Sequence, residues 1–248
     1  MTAGAESAQA VLLRAWGLHK SFGSLQVLRN VDFRVDQGEA VGIVGPNGAG
    51  KTTLLNVLSG SYPGDSGNVA FQGEDVSALP AARRCRLGIA RTHQVPRPFG
   101  GMTVLENVLA AAVHGGAAGR AQADERTIQA LATCGMLHLA NRRADTLGLL
   151  ERKRLELTRA LATGPRLLLL DEIGGGLTDS EAEQLVVTIQ SLHAGGIAIV
   201  WIEHIVHILL QVVGRLVCMD AGAVLAEGEP RGVLAHPAVV EAYLGTPQ

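Results

Sequence analysis

Hydrophobic and polar positions divide this chain into short apolar runs separated by glycine-rich turns. Ala40 to Val44 is an unbroken apolar run of strand length, the pattern of a strand covered on both faces. A polar, glycine-rich interval follows it, and Leu54 to Leu58 then continue with helical character. Upstream, Val11 to Leu18 and Val27 to Val35 predict strands, the second ending in a turn at Gln37-Gly38, and Asn68 to Phe71 predicts another between Gly67 and Gly73. Downstream, Arg166 to Leu170, Ile197 to Ile202, Arg215 to Met219 and Ala223 to Ala226 read as strands, interleaved with helices over Ser180 to His193 and His204 to Val213. Strands that alternate with helices imply a mostly parallel sheet covered on both faces.

The middle of the chain has a different rhythm. Arg91 to Gly101 carries Pro96, Pro98, Gly100 and Gly101 and reads as a loop. Thr103 with Glu106 three residues on is a capping-box pattern for a helix over Val104 to Val113. His114 to Gly119 is a glycine- and alanine-rich loop, and Ala123 to about Leu139 is helical again. Roughly Arg83 to Ala162 is therefore expected to form a separate helical lobe.

Composition narrows the function. With 248 residues, 47% hydrophobic and 18% charged, the chain can bury a sizeable core. A net charge of −2 gives no global basic field, and eight aromatic residues leave little for base stacking, so no nucleic-acid partner is expected. The mean hydropathy of +0.23 invites a search for membrane spans. The most apolar stretch, Ile205 to Met219, is interrupted by His207, Gln211, Gly214 and Arg215, and no run reaches about 18 residues. Met1 to Ala10 holds Glu6 and no Lys or Arg before the first apolar run, unlike a signal peptide. Cys85, Cys134 and Cys218 are odd in number and far apart, which predicts buried thiols in a reduced, cytosolic protein.

Chemistry concentrates in two places. Gly45-Pro46-Asn47-Gly48-Ala49-Gly50-Lys51-Thr52-Thr53 matches the Walker A spacing in full, between an apolar strand and a helix. Its glycines let successive backbone N–H groups converge on phosphates, Lys51 supplies a point charge, Thr52 can ligate Mg²⁺, and the helix N-terminus adds its dipole. The plain alternative is a glycine-rich turn, but the chain has only three lysines and one stands where the motif needs it. The second place is Asp171-Glu172, carboxylates closing an apolar strand at the sheet edge where ligands bind. Asp171 would hold Mg²⁺ through water and Glu172 would polarise an attacking water. His204 alone would be read as a cap or packed residue. With His207 a metal pair is conceivable, yet no Cys or third His completes it. Gln94 would by default be a surface loop residue.

The order of these parts resembles the ATP-binding subunit of an ABC transporter, from Leu12 to Gly245. The resemblance implies a P-loop NTPase α/β core with an N-terminal antiparallel β-subdomain and an inserted helical subdomain. It would be a single domain over 1–248, with core and β-subdomain over 11–82 and 163–248 and the helical subdomain over about 83–162. It also implies that Phe22 stacks on adenine, that Gln94 is the Q-loop glutamine touching Mg²⁺ and linking to the membrane partner, and that His204 is the switch histidine at the γ-phosphate. Gly101-Met102-Thr103-Val104-Leu105-Glu106-Asn107-Val108 and His236 to Gly245 are similar to the branched-chain (hydrophobic) amino-acid uptake subgroup. ATP hydrolysis would then drive solute uptake through separate permease subunits, with a solute-binding protein engaged indirectly. The chain would sit peripherally on the cytoplasmic face of the membrane, and the permeases would dock near Gln94 to Gly101 and the helical lobe. A soluble ABC ATPase of DNA repair or translation fits poorly with one cassette lacking heptads and a basic tail. The Gln94–His204 constellation argues against a P-loop kinase.

The family's Leu-Ser-Gly-Gly-Gln signature, which completes the ATP site of the opposing subunit, departs here to Leu147-Gly148-Leu149-Leu150-Glu151. Gly148 lacks the serine hydroxyl and Leu150 replaces a glycine that approaches the γ-phosphate. A hydrogen bond to a charged group contributes about 1.5–3 kcal/mol, so losing two would weaken closure by roughly 3–6 kcal/mol. Ile173-Gly174-Gly175-Gly176-Leu177-Thr178 also departs from the D-loop, with Thr178 where aspartate or asparagine usually sits and three glycines loosening the backbone. An asymmetric dimer with a second ABC ATPase subunit is expected, a homodimer being the other arrangement. The alternative function is a nucleotide-binding structural or regulatory subunit with little turnover.

Overall fold

The computed structural model describes residues 10–116 and 119–244. Gly245, the last residue of the tail resemblance, and Met1 to Gln9 lie outside them. A hairpin opens the fold: β1 (Val11–Phe22) and β2 (Leu25–Asp36) run antiparallel for twelve residues each, past the ends that alternation alone suggests. β3 (Ala40–Val44) leads into α1 (Lys51–Ser59), after which β4 (Ser66–Phe71) and β5 (Glu74–Asp75) complete an antiparallel sheet of order β2-β1-β4-β5. Next come α2 (Ala81–Leu87), β6 (Ile89–Arg91), α3 (Val104–Gly115), α4 (Arg120–Thr133) and α5 (Leu149–Ala162). The chain then alternates through β7 (Leu167–Asp171), α6 (Asp179–Ala194), β8 (Ala198–Ile202), α7 (Val206–Leu209), β9 (Arg215–Asp220) and β10 (Ala223–Gly228). It finishes in α8 (Pro230–Leu234) and α9 (Pro237–Leu244).

The second sheet has the order β10-β9-β3-β8-β7-β6, parallel except for the β9–β10 hairpin. Every residue of β3, β7 and β8 is buried, because both faces are covered. The strand period of two divides these residues between two cores. Leu167, Leu169, Val200 and Ile202 join α1 and the antiparallel sheet, whereas Leu168, Leu170, Ile199 and Trp201 join the helices on the other face.

The helical segment matches its sequence signals at one end and departs at others. Thr103 caps α3 in a reciprocal capping box with Glu106. The helix expected over Ala123 to Leu139 stops at Thr133, where Gly135 turns with a φ of 67° into a short 3₁₀ turn at Leu137–Leu139. The helix expected from His204 to Val213 shrinks to Val206–Leu209, the residues before it being held in a bend by Glu203. Within the span 83–162, Ile89–Arg91 pairs in parallel with β7 as the edge strand of the core sheet. Three residues are too few to display a period, so only their tertiary neighbour reveals them.

Arg84 holds α2 to α1. Its side chain is 1% exposed and its guanidinium donates to the carbonyls of Val57 and Leu58 at 2.8 and 2.9 Å, and of Ser77 and Leu79 at 2.9 Å each. Two of these carbonyls belong to the last turn of α1, where intrahelical partners run out. Replacing Arg84 with Met is expected to cost about 3 kcal/mol or more by leaving buried acceptors unpaired. Urea titration would read this as a lower midpoint at unchanged slope. A loss below about 1 kcal/mol would mean that water satisfies these carbonyls.

Candidate nucleotide site

The loop joining β3 to α1 is shaped by three glycines in the left-handed region. A Cβ at Gly45 (φ 143°) would lie 2.0 Å from the carbonyl oxygen of Met219, and one at Gly50 (φ 97°) would lie 2.7 Å from that of Val27. Gly48 (φ 84°) faces open space instead. The backbone is thus pressed against the protein at both ends of the loop and bare in its middle. A cleft of about 260 Å³ lies there, lined by Asn47 to Thr53, Leu25, Val27 and Glu172. Asn47 and Gly48 are exposed, Pro46 and Thr53 half-buried, and Ala49 buried.

Lys51 begins α1 and folds back over the loop. Its ammonium donates to the carbonyls of Gly45 at 2.7 Å and Pro46 at 2.9 Å. Burial pulls its pKa below the usual lysine value, while Glu172, Cys218 and Asp171 pull the other way. Thr52 donates its hydroxyl to Oδ1 of Asp171 at 3.2 Å. Asp171 is 1% exposed at the end of β7, and its Oδ2 pairs with Arg91 at 2.8 Å. Sequence reasoning makes Arg91 the start of a loop; it closes β6, and its other terminal nitrogen meets Asn56 Oδ1 at 2.5 Å. Nothing in its local pattern signals an ion pair across 80 residues.

Asp171 and Glu172 are adjacent but serve opposite directions. Glu172 has a φ of 47°, uncommon for a residue with a side chain, and its amide donates to Ile202 O at 2.9 Å. That turn sends its carboxylate to Gln94, whose amide nitrogen donates to Oε2, and to His204, whose Nε2 lies 2.9 Å from Oε1. The structure therefore brings Gln94, Glu172 and His204 together from three separate loops. His207 has no such partner, and among the described residues no group of three His, Cys, Asp or Glu could hold a metal. Phe22, half-exposed at the end of β1, meets the edge of Tyr62 with ring centroids 5.6 Å apart. Tyr62 went unread in the sequence, although it is one of few aromatics in the chain.

The Thr52 hydroxyl and Asp171 carboxylate form an all-oxygen donor set, which suits Mg²⁺ rather than a thiolate- or imidazole-binding metal. The cleft along the loop is lined by the first turn of α1 and by Lys51, a helix N-terminus and a cation of the kind that suits an anion.

The sequence matches the family described as "ABC transporter" over residues 28–174, more than half of the chain. The chain belongs to the ABC transporter ATP-binding family. Residues 223–247 match a second family, described as "branched-chain amino acid ATP-binding cassette transporter". The high-affinity branched-chain amino acid transport ATP-binding protein BraF of Pseudomonas aeruginosa is 33% identical, covering 94% of this chain and 98% of its own. LivG of Escherichia coli K12, of the same description, is 34% identical over the same shares. Among solved structures, a nucleotide-free ATP-binding cassette from an ABC transporter superposes with a TM-score of 0.87 at 32% identity, covering 95% of this chain and all of its own. The ADP conformation of an ABC transporter cassette gives 0.87 at 32% identity, covering 96% and 100%. As an ABC ATPase, the chain binds and hydrolyses ATP, and the mixed sheets above are the P-loop ABC fold.

Substituting Lys51 with Ala removes a cation from this ATPase, together with its two bonds to the loop carbonyls of Gly45 and Pro46. ATP affinity, read by displacement of a fluorescent ATP analogue, is expected to fall by about 10- to 100-fold, the worth of charge-assisted hydrogen bonds. Unchanged affinity would place the phosphates elsewhere.

Proposed function

We propose that this chain is the ATP-hydrolysing subunit of a multi-subunit importer for branched-chain amino acids or related small solutes such as other amino acids, amides or urea. The match over residues 223–247 and the names of the relatives support that solute class. No helix among the described residues is long and apolar enough to cross a membrane, so the translocation path would belong to permease subunits. The chain would be peripheral, on the cytoplasmic face. A cleft of about 340 Å³ between α2, β6 and α5 opens beside the Gln94–Gly101 loop, where Val95 and Phe99 are exposed. It is the surface we assign to permease docking.

The observation that carries the catalytic reading is the position of Glu172 between Gln94 and His204. In this reading Lys51 and the amides from Gly45 to Thr53 hold the phosphates, and Phe22 stacks on adenine. Thr52, Asp171 and Gln94 would hold Mg²⁺, which neutralises phosphate charge when bound. Glu172 orients and polarises the attacking water, and His204 stabilises the γ-phosphate. Such catalysis is mostly positioning and electrostatics.

The altered signature supports an asymmetric dimer. Gly148 starts α5 with its N–H donated to Glu151 Oε2 at 2.9 Å, so a carboxylate occupies the helix end that would face a partner's phosphate. Leu150, expected to obstruct that approach, packs against the core instead, and Leu149 is the exposed side chain, 47% accessible. What stands in the way is therefore the Glu151 carboxylate, whose other oxygen pairs with Arg142 at 3.3 Å, and the apolar side chain of Leu149, and the partner's own signature would complete this chain's ATP site. The same features favour a second reading, a nucleotide-binding subunit with little turnover.

Light scattering on Glu172→Gln, with and without ATP, tests the arrangement. ATP binding with the chain still monomeric is the expected result; an ATP-dependent homodimer would overturn the asymmetric arrangement. Turnover by the wild-type chain with its partner ATPase, abolished in Glu172→Gln, would discard the second reading.

A further inference from the structure

Glu203 follows β8 and is 2% exposed, a depth at which carboxylates are rare unless partnered. Its Oε1 accepts the N–H of Gly174 at 2.6 Å and its Oε2 accepts the N–H of His204 at 3.1 Å. Gly174 lies two residues beyond Glu172 on the segment leaving β7. One buried side chain thus joins the two backbone segments whose side chains, Glu172 and His204, meet at 2.9 Å. A side chain at Gly174 would press on this carboxylate, because a Cβ there would lie 2.7 Å from Glu203 Oε1 and the Glu203 side chain would have to shift. The first glycine of the run after Glu172 thus lets the Glu203 carboxylate approach its backbone closely.

A third element reaches the same point. Lys153, on α5 and 4% exposed, donates its ammonium to the carbonyl oxygen of Glu172 at 3.2 Å. Burial pushes the Glu203 carboxyl pKa up; the two backbone N–H donors and the Lys153 charge oppose it, and Glu172 adds to the rise. Lys153 in turn is drawn down by burial and held up by Glu203 and Glu172. An apolar side chain could fill this volume at less desolvation cost, but it could not bind two N–H groups from two loops at once.

We propose that Glu203 is a positioning residue, whose carboxylate brackets the Gly174 and His204 backbones and so sets the separation of Glu172 from His204. Lys153 supports the bracket from the helix that carries the altered signature. Glu203 touches neither substrate nor reacting atoms, and the inference rests on the reading of Glu172 and His204 as the hydrolytic pair.

Two variants disturb the bracket by different means. Glu203→Gln keeps the shape and removes the charge and one acceptor, whereas Gly174→Ala keeps the carboxylate and inserts a methyl group against it. Both are compared with Glu172→Gln in the full chain. The measurements are the ring ¹⁵N resonances of His204, assigned with His204→Gln, affinity for a fluorescent ATP analogue, and ATP turnover of each chain combined with its partner ATPase. In both variants the His204 resonances are expected to move toward their position in Glu172→Gln, with ATP affinity within about twofold of wild type. Turnover is expected to fall by about 10- to 100-fold with KM unchanged, the scale of a small misplacement of catalytic groups. If Glu203→Gln does not fold, Gly174→Ala carries the test. Wild-type resonances and turnover in the folded variants, beside an inactive Glu172→Gln, would overturn the bracket alone. Wild-type turnover in Glu172→Gln would overturn the hydrolytic reading itself.

Discussion

Burying β3, β7 and β8 on both faces is the constraint from which the site follows. A strand enclosed in that way is apolar along its length, and only the last position of β7 carries a polar side chain, Asp171, which is partnered by Arg91 and Thr52. Polar chemistry must wait until the strand leaves the sheet. Because these three strands run parallel, they leave at the same edge, and there the chain delivers Gly45 after β3, Asp171 and Glu172 at the end of β7, and Glu203 and His204 after β8. β8 lies between the other two, so its carbonyl at Ile202 receives the Glu172 amide and Glu203 reaches the segment beyond it. Thr52, one residue into α1, crosses this short distance to Asp171.

Charge in the interior is tolerated only where it does several jobs. Arg84 satisfies four carbonyls, Arg91 joins Asp171 and Asn56, and Glu203 joins two backbone segments. In each case a long or forked polar group replaces contacts that water would otherwise make. Lys51 is the related case at the surface of the cleft, its ammonium kept on loop carbonyls that a phosphate can replace as partners.

These interior charges also mark where the sequence stops being readable. The Walker A spacing is local, so it and its flanking strand and helix could be read directly, as could the capping box at Thr103. Asp171-Glu172 gains meaning from an adjoining apolar run. Gln94 and His204 carry no local signal of function and were legible only through family resemblance. Arg84, Arg91, Lys153 and Glu203 look like any charged residues in a sequence, since most of their partners lie 19 to 80 residues away and the nearer ones are backbone groups that carry no side-chain signal. β6 hid for the same reason, as its pairing with β7 is not written in three residues. The helix expected after His204 is longer than the one formed because the apolar run to Val213 has helical character, while the bend at His204, bonded to Glu203, lies outside that run.

The alternation of Leu167 to Leu170 between two cores has a consequence for how such a chain can change over time. Neighbouring leucines in β7 report to different neighbourhoods, one beneath the phosphate loop and one beneath the helices on the other face of the sheet. A change of side-chain volume at Leu168 or Leu170 calls for compensation among the helices, and one at Leu167 or Leu169 calls for it around α1. The two layers can therefore drift separately. The helical layer can be remodelled while the layer that carries the nucleotide chemistry is left as it is.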